Sequence, residues 1–424
     1  MCGPANPLWR YMGGYHGYLA RLGYLLSLGK PDIKIALYYP ISDIWAGGPD
    51  VNSVCSSNDE LARVLFENQC DFDFIDDDVL ESDSTKIENR QLRVGPMYYD
   101  AICISRNRYM SEKSVAKLEQ FITAGGKVLW VGNSTGIHTP RGITMTTLSR
   151  LPSLLGPTVN LESKNVNIRA CKRTLTNSSV YFVTNEDTCE TSCTIQFNES
   201  LPIIQLDPET GKCWKPSQAL RTTGGWKIPL NLKFAGSCVF IFTNDPLPLV
   251  SEPTFPVKVL QTISDGWTCR KTTEFVIGNH DLEVHNLPSE QTVNIAPGDW
   301  RQVIGNIYSG DVEYTVRFRC TGSVTKNARI LDLGDVRYVC HASLNGKELG
   351  KRLWQPFVYD IKGMIREGDN VLKVTVTNTL ANQYTYTKAL DKWPPIELGP
   401  YHSRTLGFEK ESVSSGLLGP VTIK

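Results

Sequence analysis

A change of hydrophobic period near residue 160 constrains this chain more than any other feature. Before it, short apolar runs alternate with helical patterns. IKIALYYP is a run suited to a buried strand, Ser57 and Glu60 of SNDE form a capping box ahead of ELARVLFENQ, and FDFI follows as a strand. QLRVG, the strand DAICIS, a helix from Ser111 through AKLEQFITAGG and the strand KVLWVG complete the segment. Beyond residue 160 the helical period is gone. NVNIRACKR, SVYFVTNE, CTIQFN, PIIQLD and SCVFIFTN are short, rich in β-branched and aromatic residues, and divided by turn signals such as DPETGK.

These two regimes predict a multidomain chain, α/β followed by all-β. Strands alternating with helices over 33–158 imply βαβ units and a parallel sheet covered on both faces, a flavodoxin-like domain. Residues 159–248 read as a β-sandwich. PLPLVSEPTFP, with four prolines, marks a linker or an extended edge, and 257–424 form a second all-β region whose clearest strands are YTVRFRC, ARILDLG, YVCHASLNG and NVLKVTVTN. Along VLKVTVTN, Val371, Lys373, Thr375 and Thr377 alternate with Leu372, Val374 and Val376, giving one wet and one buried face. At 424 residues the chain exceeds what one core usually supports.

Residues 1–32 carry Tyr15, Tyr18, Leu19, Leu22, Leu25 and Leu26 at spacings of three and four, with Gly29 and Pro31 as the stop. This predicts an amphipathic helix whose apolar face either docks on the next domain or closes a larger domain upstream.

Forty-four basic residues balance forty-four acidic ones, and no run of five like charges occurs. That balance argues against nucleic acid or an acidic membrane as partner. No apolar stretch approaches the ~20 residues of a membrane span, and MCGPANPLWRYMGG lacks the basic start and apolar core of a signal peptide. The expectation is a cytoplasmic chain with reduced thiols, with a secreted parent protein as the alternative if the chain is a fragment; the sequons at Asn133, Asn177 and Asn198 would matter only in a secreted chain. Of twelve cysteines, Cys189 and Cys193 form the one close pair, and no second pair completes a zinc site.

The motifs of common chemistries are missing. AGGKVLWVGNSTG, residues 124–136, matches neither the phosphate-binding loop nor the dinucleotide fingerprint, so Gly125 and Gly126 read as a helix stop. Cys103 lies inside its strand and is followed by RNRY, the pattern of a core thiol rather than of a nucleophile elbow. FDFIDDDVLESD, residues 72–83, lacks the turn glycine of a calcium loop and reads as a solvated edge. The six histidines form no zinc-peptidase motif, and no G-x-S-x-G occurs.

Several phrases, taken in order, carry a resemblance. YLARLGYLLSLGKPDIKIALYYP, FDFIDDDVL, FITAGGKVLWVG, VYFVTNEDT with LDPETGK, and LDLGDVRYVCHASLNGKELGKRLWQPFVYDI with NTLAN and SGLLGPV resemble the part of the α-L-rhamnosidase-like glycoside hydrolases of family 106 that follows their catalytic barrel. The resemblance implies an amidotransferase-like α/β domain, an accessory β-sandwich and a galactose-binding-like jelly roll, as in family 2 glycosidases. It implies that residues 1–32 are the last helix of a (β/α)8 barrel of about 250 residues. That barrel would hold the acid and base carboxylates and a calcium site, so no catalytic, metal or cofactor residue is assigned to this chain. The implied partners are a glycan or glycoside and a barrel on a separate chain. The alternative is a stand-alone carbohydrate-binding or scaffold protein.

Trp300, Trp354 and Trp393 are the candidate sugar contacts, because a tryptophan face can stack on a pyranose. Trp354 has Lys351 and Arg352 beside it. It lies in LNGKELGKRLWQPFVYDI, where Asn345 and Gly346 predict a type I′ hairpin and Pro356 keeps Gln355 extended.

Overall fold

The structure is a computed structural model in which the described residues are 3, 6–132, 139–254, 256–278, 281–287, 291–387 and 413–424. The chain divides into two compact units, Ala20–Glu252 and Met1–Leu19 with Pro253–Lys424. It is multidomain, α/β plus all-β. Helix α1, Met12–Ser27, contributes its residues up to Leu19 to the second unit and the rest to the first.

In the unit Ala20–Glu252, strand β1 (Ile35–Tyr38) is followed by α2 (Val51–Glu67), β2 (Phe72–Ile75), β3 (Ala101–Ile104), α3 (Glu112–Thr123), β4 (Lys127–Val131) and β5 (Thr144–Thr146). They form a parallel sheet in the order β2-β1-β3-β4-β5, the doubly wound order 2-1-3-4-5 shared with flavodoxin. All four residues of β1 and of β3 are buried, which is why both read as unbroken apolar runs. QLRVG belongs instead to a separate three-stranded antiparallel sheet with Lys86–Glu88 and Met97–Tyr99.

Helix α2 corrects the capping-box expectation at Ser57. Its buried stripe, Val54, Asn58, Leu61 and Leu65, begins before the SNDE phrase, so burial extends the helix back to Val51. Ser57 Oγ accepts instead from the Arg106 backbone N–H at 3.2 Å. Helix α3 is capped by Ser111, which accepts from Ser114 N. Its stop needs both glycines. Gly125 has φ +95°, and a Cβ on Gly126 would lie 2.1 Å from Phe121.

The sandwich of this unit has a six-stranded sheet containing β6 (Ile168–Thr174), β7 (Ser178–Asn185), β9 (Ile203–Leu206) and β11 (Ser237–Thr243). It faces a four-stranded sheet that contains β8 (Thr191–Phe197) and β10 (Gly225–Leu232). Tyr181, Ile195, Phe197, Ile228, Phe240 and Phe242 fill the space between them. On the outer face of the six-stranded sheet, Leu22 and Leu25 of α1 pack on the cluster of Val180, Ile204, Leu206 and Val239. The helix therefore docks part of its apolar face, while Tyr24 stays exposed.

The other unit is an antiparallel β-sandwich around one core. Its large sheet includes β12 (Trp267–Ile277), β13 (Gly310–Cys320), β14 (Val339–Leu344), β15 (Lys347–Arg352) and β16 (Gly368–Thr377), and Thr422–Ile423 pairs in its four-stranded sheet. Asn345 (φ +53°) and Gly346 (φ +79°) make the type I′ turn between β14 and β15. The Asn345 amide donates to Asn370 Oδ1 at 2.8 Å and to Met364 O at 3.0 Å, and its oxygen accepts from Val371 N at 2.9 Å. One side chain thus ties the hairpin to the start of β16. Asn345→Ala removes those bonds and puts a Cβ residue without a compensating amide at positive φ, so a loss of about 2–3 kcal/mol in urea unfolding is expected.

Candidate functional site

The structure distinguishes Trp300 from Trp354. Trp300 is 0% exposed and packs edge-on against Tyr308 at 6.0 Å. Its backbone N–H is tied to Ser415 O at 2.9 Å and it caps the helix Arg301–Ile304. These restraints belong to a residue of the sandwich core, so Trp300 offers no face to a sugar and that expectation is corrected. Trp393 lies outside the described residues. Trp354 is half-buried, with its ring edge against Tyr18 of α1 at 5.4 Å.

The residues around Trp354 already hold part of the same unit. Lys351 Nζ donates to Arg10 O at 2.9 Å and stands over the Tyr11 ring. Arg352 Nε donates to Val358 O at 3.0 Å, and its guanidinium lies over Tyr359. Arg10 pairs with the buried Asp311, Thr377 donates to the same carboxylate at 2.6 Å, and the Tyr11 and Thr377 hydroxyls meet at 2.9 Å. Together these contacts form a clasp in which β13 and β16 grip Arg10 and Tyr11.

A groove of about 320 Å³ lies on the wet face of the same sheet, lined by Glu313, His341, Ser343, Glu348, Lys373 and Thr375 among others. Register explains it, because Thr375 is paired with Glu313 on one side and with His341 on the other. Burial pushes the His341 imidazole below its ordinary value, against the opposing pull of Glu348. Glu313 has Arg270 Nε at 3.0 Å and Lys373 Nζ at 3.9 Å. The groove gathers donors and acceptors able to hydrogen-bond hydroxyl groups. Sequence reading found the wet face of β16 but not this convergence, since alternation within a strand does not specify its neighbours.

The acidic stretch 72–83 is structural. Asp77 accepts from Tyr38 Oη at 2.9 Å and Ser42 Oγ at 2.5 Å, Asp76 caps the helix Asp77–Glu81 by accepting from Val79 N, and Asp73 accepts from Tyr99 Oη at 2.8 Å. Burial pushes the Cys103 thiol up to about 12, as expected of a core thiol. Among the described residues no group of three or more His, Cys, Asp or Glu could hold a metal ion, and no helix is long and apolar enough to cross a membrane.

No protein-family model matches the chain. Its fold matches a rhamnosidase from Novosphingobium sp. PP1Y with a TM-score of 0.64 and 17% identity, covering 99% of this chain and 41% of that one. A β-glucuronidase from an uncultured Clostridium sp. gives a TM-score of 0.24 and 20% identity over 30% of this chain and 24% of that chain. In sequence, a Formosa agariphila protein bearing a β-glucuronidase name is 34% identical over 140 residues, 27% of this chain and 12% of that protein. The chain thus spans less than half the length of the rhamnosidase and about an eighth of the Formosa protein. Nearly all of this chain has a fold found within a glycoside hydrolase.

Proposed function

We propose that the chain is the accessory part of an α-L-rhamnosidase-like glycoside hydrolase, whose acid and base carboxylates lie on a (β/α)8 barrel outside these 424 residues. The observation that carries this reading is the fold match over 99% of the chain against 41% of the rhamnosidase. The strand order of the α/β domain supports its assignment as flavodoxin-like and amidotransferase-like, and the antiparallel sandwich supports the galactose-binding-like jelly roll. The clasp around Arg10 and Tyr11 supports a role for the jelly roll in holding the end of the preceding domain. In this reading the barrel is the partner, Trp354 and the Glu313–His341 groove are the sugar-facing features, and a glycan is the ligand.

The groove also favours a second reading, a stand-alone carbohydrate-binding protein. Sequencing the transcript upstream of Met1 separates the two. An in-frame stretch encoding the barrel, there or in the adjoining gene, is the expected result. A stop codon with no barrel gene beside it would overturn the first reading in favour of the second.

A further inference from the structure

The unit Ala20–Glu252 contains a second cavity, of about 370 Å³, formed where the end of α2 and the residues after it meet β6 and β7. Phe66 and Phe182 both line it, and β6 and β7 bring Arg169 opposite Thr184. The volume is that of a site for a small molecule.

The charges in the cavity are unevenly matched. Arg169 is held in place, with Nε 3.2 Å from Glu186 and the guanidinium over the Phe66 ring at 5.9 Å. Asp71 has no such cation. Among the described residues its carboxylate accepts from the Phe72 backbone N–H alone, at 3.0 Å. Burial, with a smaller contribution from Asp73, pushes the carboxyl up to about 6. Such a group stands ready to accept hydrogen bonds from whatever enters.

The same charges disfavour an anion, which would meet Asp71 and Glu186 while Arg169 is already matched by Glu186. An uncharged guest with several hydroxyls donates its O–H groups to Asp71 as charge-assisted bonds, and an apolar ring face lies on Phe182. We propose that this cavity, lined by Phe66, Asp71, Arg169 and Phe182, is a binding site for an uncharged pyranoside, separate from the groove on the other unit. The inference deepens the carbohydrate reading above and rests on it for the choice of sugar.

Methyl α-L-rhamnopyranoside, titrated into the full chain and followed by saturation-transfer NMR, tests the site. Wild type is expected to bind, Asp71→Asn to weaken binding at least tenfold, and Phe182→Ala to do the same. Asp71→Asn keeps the amide oxygen that accepts from Phe72 and removes only the charge, so the variant stays folded. Glu60→Gln, on the exposed face of α2 and outside both the cavity and the groove, should leave this binding unchanged. Equal binding by wild type and Asp71→Asn would overturn the site, as would a response to tetramethylammonium or methyl glucuronide but to no neutral sugar. Those results leave the accessory-part reading intact, whereas that reading falls on the transcript test, which does not touch the cavity.

Discussion

Replacing Arg10 by alanine will destabilise the unit that contains Pro253–Lys424 by about 3 kcal/mol. Asp311 is 1% exposed, and Arg10 is the cation paired with it. Removing one partner of a buried pair leaves a charge in a medium that solvates it poorly, at a cost of about 3–5 kcal/mol. Arg10 is partly exposed, so water enters when the side chain is cut back, and the lower end of that range applies. Thr377 continues to donate to Asp311 and limits the loss further. In urea unfolding the midpoint should fall with little change in slope. The cycle with Asp311→Asn isolates the cause. In that background Arg10→Ala should cost less than about 1 kcal/mol, because no uncompensated charge remains. An equal cost in both backgrounds would mean that the packing of Arg10 over Tyr11, not its charge, holds the clasp.

Asp71→Asn should have the opposite sign and depend on pH. The Asp71 carboxyl is raised from 3.8 to about 6, so the folded chain holds this proton more tightly than the unfolded chain does. Below pH ~4 both states are protonated and the group costs nothing. As pH rises from ~4 to ~6 the unfolded state ionises first, stability falls, and above ~6 the full penalty remains. A shift of this size corresponds to about 3 kcal/mol, reduced to roughly 2 by partial solvent contact. The variant should therefore melt about 4–8 °C higher than wild type at pH 7.5, with the gap closing toward pH 4. A gap independent of pH would place the effect elsewhere than in the carboxyl charge.

The parts of the fold legible in the sequence are those written in local period. The buried runs IALY and AICI, the helix ending at Gly125 and the Asn345–Gly346 turn each follow from a few adjacent residues. The start of α2 was not legible, because the Val54–Leu65 stripe outweighed a good local cap. Trp300 and Trp354 looked alike in sequence, since a tryptophan suits both core and surface. Only burial distinguishes them, with Trp300 0% exposed and Trp354 half-buried. The groove needed the pairing of β13, β14 and β16, and the cavity needed residues 66–71 brought to 169–186. Neither juxtaposition leaves a trace in the spacing of nearby residues.

Hydrolysis of p-nitrophenyl α-L-rhamnopyranoside by the purified 424-residue chain tests the central claim most directly. The account predicts release of nitrophenol at the uncatalysed rate, restored to enzymatic turnover only when a barrel-containing polypeptide is added. Saturable turnover by the chain alone, lost on substitution of one of its own carboxylates such as Glu313 or Glu348, would contradict it.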